Sequence, residues 1–352
     1  MTTQDRTPPA VTSGAELRRS LLLSVVFGGA AVILISFVSF LPGGRLIAQQ
    51  MISGLMLGAI FATVAVAFTL TVGVLNFLNF TIPTLFMLTG MIAWGLSRFG
   101  LPFGSSIGLT GGVHWLIALL IGIVAAVIAS LIVERFTFRY LKTRYGDATE
   151  HAIPLVSSLG FLLIFEYLVL IALGSEQQRF PTPFRADLHI AGLVIGLAQL
   201  ASLLLSLAIV AGLTVILKST HIGRALRAIA ESPDTSVLLG IDVVRIVQAV
   251  FLLTGVLCGI AGALFTINYG DVSPYMGDQV GTKAIAAMVL GGLGSIWGAI
   301  VGGLLLGLIE TLSLHFFGGE AVQMVVWGIL LVVIIVRPQG LFGGSRLGKG
   351  RV

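Results

Sequence analysis

Charge is scarce in this sequence: only 10% of its 352 residues are Asp, Glu, Lys or Arg. A soluble domain carries about 25%, so a water-facing surface over most of the chain is excluded. Cysteine is nearly absent. The single one, Cys258, lies in an apolar run, which rules out an intrachain disulfide and leaves packing as the simplest role. The histidines (His114, His151, His189, His221, His315) are scattered without metal-ligand spacing, so no metal site is expected. No acid, base and nucleophile cluster together, which argues against a membrane-embedded enzyme. An apparent phosphate loop, GGSRLGKG at 343–350, has Gly350 where Ser or Thr should hold magnesium and no helix after it to receive phosphate, so no nucleotide site is expected either.

What the chain has in quantity is apolar surface. Hydrophobic residues make up 57% of it, with a mean hydropathy of +1.06, which is more than a soluble core can bury. Such a chain belongs in lipid. A bilayer core of about 30 Å takes roughly 20 helical residues, and runs near that length fall at about 21–41, 47–72, 82–97, 114–133, 152–173, 190–217, 246–268, 282–312 and 320–336. The first exceeds the ~7–15 apolar residues of a signal peptide, so it is expected to stay as an anchor. The expected fold class is all-α, a polytopic transmembrane helical bundle with about eight full crossings plus a re-entrant or broken helical segment. Residues 1–20 form a polar tail, 21–336 a single transmembrane domain and 337–352 a basic tail.

Fifteen of the 20 lysines and arginines fall in the N-terminal tail, after the fourth run (Arg135, Arg139, Lys142, Arg144), after the sixth (Lys218, Arg224, Arg227, Arg245) and in the C-terminal tail. The positive-inside rule puts all four regions, and both termini, in the cytoplasm. This needs an even number of crossings, which holds if 282–312 is a helical hairpin broken near Gly291, Gly292 and Gly294. Were it one span, the cytoplasmic count would fall to 11 of 20.

Between Leu46 and Ser97 no side chain is charged, yet Gly73, Asn76, Asn79 and Pro83 interrupt the run. Amides beside unwound backbone are tolerated at membrane depth where protein buries them or water passes. Asn76, Asn79 and Thr81 are therefore candidates for a solute path, the alternative being a packing turn. Glu166 and Glu310 join them, because a carboxylate within an apolar run must face protein or water. For Glu310 a partnership with Lys283 is equally natural. Gly291, Gly294, Gly298, Gly302, Gly303 and Gly307 include small-xxx-small spacings that mark close helix packing.

The loop 218–245 is basic yet rich in helix formers. It reads as one short helix over 222–231, then a second with Ser232 as cap, Pro233 at the first helical position and Gly240 at a left-handed stop. Short rigid helices offer a partner protein, inferred to be an ATPase, a handle that transmits motion; an interfacial helix lying on lipid headgroups is the alternative.

The segments GRALRAIAES then LLGID, GTKAIAAMVLGGLGSIWGAIVGGLLLGLIETL and VRPQGLFG, in that order, resemble the branched-chain amino acid type ABC transporter permeases over residues 51–343. The resemblance implies an importer permease fold and a channel-forming subunit for a small polar solute, expected to be a branched-chain amino acid or a related amino acid or amide, in a bacterial inner membrane. It implies docking of Gly223, Arg224, Ala225, Arg227, Ala228, Glu231 and Gly240 on the ATPase. Its partners would be two ATP-binding subunits, a second homologous permease or a second copy of this chain, and an extracytoplasmic binding protein, with no nucleic acid. ATP and magnesium would be used by the partner subunits, with no cofactor in this chain. NFTIP at 79–83 and Glu166-Tyr167 depart from the family's usual N-F-A-H-G and Gln-Asn, so the resemblance implies the transporter class and not its solute. An ion-coupled carrier or passive channel is the rival class; carriers of that kind place paired breaks in two repeats, and no second copy of the 73–83 break is evident.

Overall fold

The computed structural model describes residues 44–99, 114–141, 152–181, 187–190, 193–337 and 339–342. The expected first helix at 21–41, the run 343–350, Lys142, Arg144 and the tail residues lie outside these, apart from Arg337 and 339–342. The α-helices in chain order are α1 (Gly44–Leu75), α2 (Ile82–Phe99), α3 (Trp115–Glu134), α4 (Ala152–Leu173), α5 (Leu197–Ser219), α6 (His221–Glu231), α7 (Pro233–Leu238), α8 (Val243–Tyr269), α9 (Met276–Gly291), α10 (Ile296–Phe317) and α11 (Gly319–Val336). A π-helical turn, Arg135–Leu141, extends α3. Among the described residues eight helices, all but α6, α7 and α9, are long and apolar enough to cross a membrane. The expected all-α bundle is therefore what forms.

Apolar on all sides, α1 is the central helix: 89% of its span is buried, against 11% for α4 and 17% for α11 at the periphery. A helix hydrophobic all round is stable only when enclosed or in lipid. Glycine sets how closely α1 is enclosed. A Cβ at Gly303 of α10 would sit 2.4 Å from Ala62 Cα, and one at Gly307 would sit 2.4 Å from Gly58 Cα. Gly54 abuts Thr311 and Gly58 abuts Leu304, so α1 and α10 run antiparallel in backbone contact. The same device joins α8 to α2, where Gly262 abuts the Phe86 carbonyl, and α3 to α2, where Gly122 abuts that of Thr89.

The run expected as a broken hairpin is one. The first arm, α9, ends at Gly291 and begins at Met276, earlier than the apolar run. Gly292 and Gly294 take φ of 111° and 79°, and Ser295 caps α10 by accepting from the Gly298 amide. Contacts then climb both arms, Gly291 on Gly298, Ala287 on Gly302 and Lys283 on Glu310. The last described residues close the tip: the Leu341 and Phe342 amides donate to the Leu290 and Gly291 carbonyls, both at 2.9 Å. Those carbonyls would otherwise be orphaned at the C-terminus of α9. Gly340, at φ 76°, lies so close to Gly292 that no Cβ fits, which explains the VRPQGLFG segment.

The interruption after α1 lies inside the bundle. Phe77 packs with Val247 and Phe251 of α8, while Phe86 meets Gly262. Phe77 therefore lies at the first turns of α8, about 16 Å below Phe86 at ~1.5 Å per residue, and residues 76–81 turn beside the start of that helix. One expectation needs correction. Ile190 and Leu193–Gly196 are not helical: Asp187–Ile190 (β2) and Leu193–Gly196 (β3) pair as antiparallel strands, and α5 begins only at Leu197. The Gln49 side-chain amide binds both backbone groups of Val194, donating to the carbonyl and accepting from the amide. At the same end Gln178–Arg179 (β1) pairs with Asp271–Val272 (β4).

Gly303→Leu is expected to cost about 1–3 kcal/mol or more through overpacking against Ala62, read as a lowered melting temperature in detergent. Gly160→Ala, whose Cβ meets nothing within 4 Å, is expected to leave it unchanged. Equal melts for the two variants would contradict the contact.

Candidate functional site

Three groups of polar residues stand out against the apolar bundle. The first is the unwound segment. Asn76 adopts φ 56°, the left-handed region that Asn tolerates better than most residues, and its side chain is exposed. Asn79 is fully buried; its Oδ1 accepts from the Thr81 amide (3.1 Å) and hydroxyl (2.7 Å), an Asx turn that leads into α2. Its Nδ2 has no partner. The Phe80 amide donates to Ser158 Oγ on α4, tying the unwound backbone to that helix. The geometry thus gives Asn79 a packing role on one side of its amide and leaves the other side free.

The second group is an ion pair within the bundle. Lys283 Nζ contacts Glu310 Oε1 at 2.5 Å and lies over the Phe61 ring, 5.6 Å from its centroid. Gly54, next to Thr311, and Phe61, next to Lys283, are roughly 15 Å and 26 Å from the start of α1 at ~1.5 Å per residue. The pair is therefore at depth, between the central helix and the hairpin, rather than at an end. Glu310 Oε2 is buried without a partner. Beside Lys283 a cavity of about 210 Å³ opens between α9 and α11, lined by Gln279, Thr282, Lys283, Val322, Gln323, Val326 and Trp327. Glu166, half-buried on α4, does not join the pair. The first turn of α2 adjoins α9, where Pro83 packs on Gly277 and Gly281.

The third group is the α6–α7 loop. The caps expected from sequence are present: Ser232 accepts from the Thr235 amide, and Gly240 at φ 77° closes α7. Its amide donates to Val237 and that of Ile241 to Ser236, the paired bonds of a Schellman motif. Gly223, Leu226 and Ile229 form the buried stripe of α6. Gly223 is pressed against the Leu217 carbonyl, and Arg227 Nη1 donates to that same oxygen. These two candidate docking residues therefore also hold α6 rigidly on the end of α5. Arg224 and Glu231 are exposed, and Ala225 and Ala228 are half-buried. Of the packing glycines, Gly291, Gly298, Gly302 and Gly307 make backbone contacts, while Gly294 faces open space and serves the hairpin turn through its positive φ.

Sequence reasoning missed three features. Leu238 and Leu239, 87% and 73% exposed, form an apolar tip on the loop. Gln279, Thr282 and Lys283 share one face of α9, and the i, i+3, i+4 spacing would have shown it had the helix been extended past the apolar run. Glu134, only 2% exposed, sits at the end of α3 with Arg139 Nε 3.9 Å away and a hydrogen bond to the Gln248 side chain.

A bundle of membrane-length helices with a buried unwound turn, an internal ion pair and a rigid loop at one end is that of a multi-pass membrane protein. More narrowly, the chain belongs to the family described as branched-chain amino acid transport system, permease component, whose model matches residues 50–335. The high-affinity branched-chain amino acid transport system permease protein BraD of Pseudomonas aeruginosa is 29% identical over 307 residues, 86% of this chain and 97% of that protein. LivH of Escherichia coli K12, a permease protein of the same description, is 29% identical over 309 residues with the same coverage. The ribose import permease protein RbsC of Bacillus subtilis is 26% identical over 264 residues, 69% of this chain and 80% of that protein. No solved structure matches the chain.

Asn79→Ala removes the acceptor of the buried Thr81 amide and hydroxyl and is expected to cost about 1–3 kcal/mol, visible as a lower melting temperature of the purified chain. Asn79→Asp, which keeps the acceptor oxygen, is expected to recover part of that loss. An unchanged melt for the alanine variant contradicts the turn's role.

Proposed function

We propose that this chain is the channel-forming permease subunit of an ATP-driven importer of small aliphatic amino acids. It works in a bacterial inner membrane with both termini in the cytoplasm. Two ATP-binding subunits consume ATP and magnesium; a second permease, homologous or identical, completes the channel, and an extracytoplasmic binding protein delivers solute. No cofactor resides in this chain.

The observation that carries the reading is the α6–α7 loop. Its helices are capped at both ends and bonded onto α5, so force applied to them reaches the bundle instead of dissipating in a flexible connection. Leu238 and Leu239 are largely exposed on this rigid loop, and exposed apolar surface of that kind is suited to a protein groove. The solute class rests on the names of the relatives BraD and LivH. The weaker similarity to a ribose permease indicates a scaffold that also serves other small solutes.

Leu238→Glu with Leu239→Glu alters only exposed side chains. It is expected to leave the chain inserted and its melt unchanged, while abolishing ATPase co-purification and leucine-stimulated ATP hydrolysis in the reconstituted complex. Retention of the ATPase by this double variant contradicts the docking assignment, and failure of the unaltered chain to retain any ATPase contradicts the importer reading itself.

A further inference from the structure

The exposed surface of the bundle is of two kinds. On α3 every exposed residue from Leu116 to Ile132, and on α5 every exposed residue from Leu204 to Val215, is apolar or glycine, while Ser202, Ser206 and Thr214 of α5 are turned inward and buried. Those faces suit lipid. On α9 the pattern is reversed: the helix buries most of its length, and its exposed residues are Asp278, Gln279 and Thr282. The neighbouring edge of α11 adds Gln323, exposed at the recess that Gln279, Thr282 and Lys283 share with Val322 and Trp327.

Depth decides what this strip can face. Phe61 is near the middle of the 32-residue α1 and has Lys283 over its ring. Gln279 is one turn of α9 from Lys283, ~6 Å at ~1.5 Å per residue, which keeps it inside a hydrocarbon core that extends ~15 Å to each side of the middle. The Thr282 hydroxyl donates back to its own helix, but among the described residues neither Gln279 nor Gln323 has a side-chain hydrogen bond. Hydrocarbon offers them no partner either.

We propose that this strip of α9, with the adjoining edge of α11, is the surface on which the chain meets the second permease, α9 facing the corresponding helix of a chain of the same fold across a two-fold axis. The inference rests on the reading that a second permease completes the channel, and it adds the face. A carboxamide both donates and accepts, so the strip is complementary to itself, as a contact about a two-fold axis requires. Asp278 limits where the axis lies: a second acidic residue brought against it is repelled, so the axis passes nearer Thr282 and Gln323 than the first turn of α9. The recess beside Lys283 receives a side chain of the partner, and close packing there adds to the interhelical hydrogen bonds that hold helices together in lipid.

The test uses the importer assembled with its partner subunits in membranes. A benzophenone amino acid replaces Gln323, the exposed Leu163 of α4 or the exposed Leu204 of α5, one at a time, and the adducts formed on illumination are identified by mass and peptide sequencing. Position 323 is expected to capture a second permease, a copy of this chain or its homologue, and positions 163 and 204 to capture lipid. Any other product at position 323, whether lipid alone, another class of protein or none, overturns the proposal, and so does permease capture at 163 or 204 in its place. Gln279→Leu with Gln323→Leu makes the strip compatible with lipid; it is expected to keep the melt of the purified chain while lowering recovery of the second permease about tenfold or more. Undiminished recovery with the folded double variant overturns the proposal too. Photocapture at position 323 decides the matter even if that variant does not fold. If the unaltered chain recovers no second permease, the reading beneath the proposal fails with it; if one is recovered while position 323 captures none, only the face is wrong.

Discussion

Backbone contact between α1 and α10 is the constraint on which the remaining architecture depends. Gly54 and Gly58 on one helix and Gly303 and Gly307 on the other bring the two axes so close that no Cβ fits between them. In lipid the hydrophobic effect does not drive helices together, so association relies on close packing and hydrogen bonds. With α10 fixed on the central helix, α9 is fixed too, through Gly291, Gly298 and Gly302. That places Lys283 over Phe61 and against Glu310, and it presents the polar face of α9 to the cavity beside α11. The terminal segment locks the turn of the same hairpin by capping the end of α9.

The two ends of the bundle are linked by rigid pieces of different kinds. At one end, α7 is held mainly by its caps, while α6 also buries Gly223, Leu226 and Ile229. Leu226 of α6 packs with Leu70 of α1 and Val250 of α8, so the loop bears directly on the central helix. That helix ends at Leu75, and the unwound stretch that follows leads to Pro83 beside Gly277 and Gly281 of α9. Motion of the α6–α7 loop therefore has a continuous packed route to the helix that carries Lys283. An unwound segment along this route, held by Asn79 and Ser158, is a natural place for the chain to yield, because its hydrogen bonds are few.

Much of this was legible from residue patterns. The α6–α7 caps follow from Ser232, Pro233 and Gly240, whose conformational preferences are local and need no tertiary information. The break in the 282–312 run follows from the clustered glycines together with charge parity. What was not legible depended on distant partners. Residues 190–196 are as apolar as a helix, and the strand pair there is held by Gln49, which is remote in sequence. The first turns of α9 carry Asp278 and Gln279, which lowered the apparent hydropathy and hid the start of the helix. The internal bond from Arg227 to Leu217 could not be anticipated, because an arginine in a basic loop is equally compatible with lipid, protein or its own backbone.

One crossing of α8 separates the α6–α7 loop from the strand-bearing end, and α9 and α10 return the chain so that α11 ends on the side of that loop. Single-cysteine labelling with an impermeant maleimide tests it most directly, in a background where the buried native Cys258 is silent. Tyr269, Leu239 and Phe342 are exposed enough to accept the probe. The expected result is labelling of Tyr269→Cys from outside intact cells, with Leu239→Cys and Phe342→Cys labelled only after the membrane is opened. Labelling of Leu239→Cys and Tyr269→Cys from the same side, or of Phe342→Cys from outside, contradicts this arrangement.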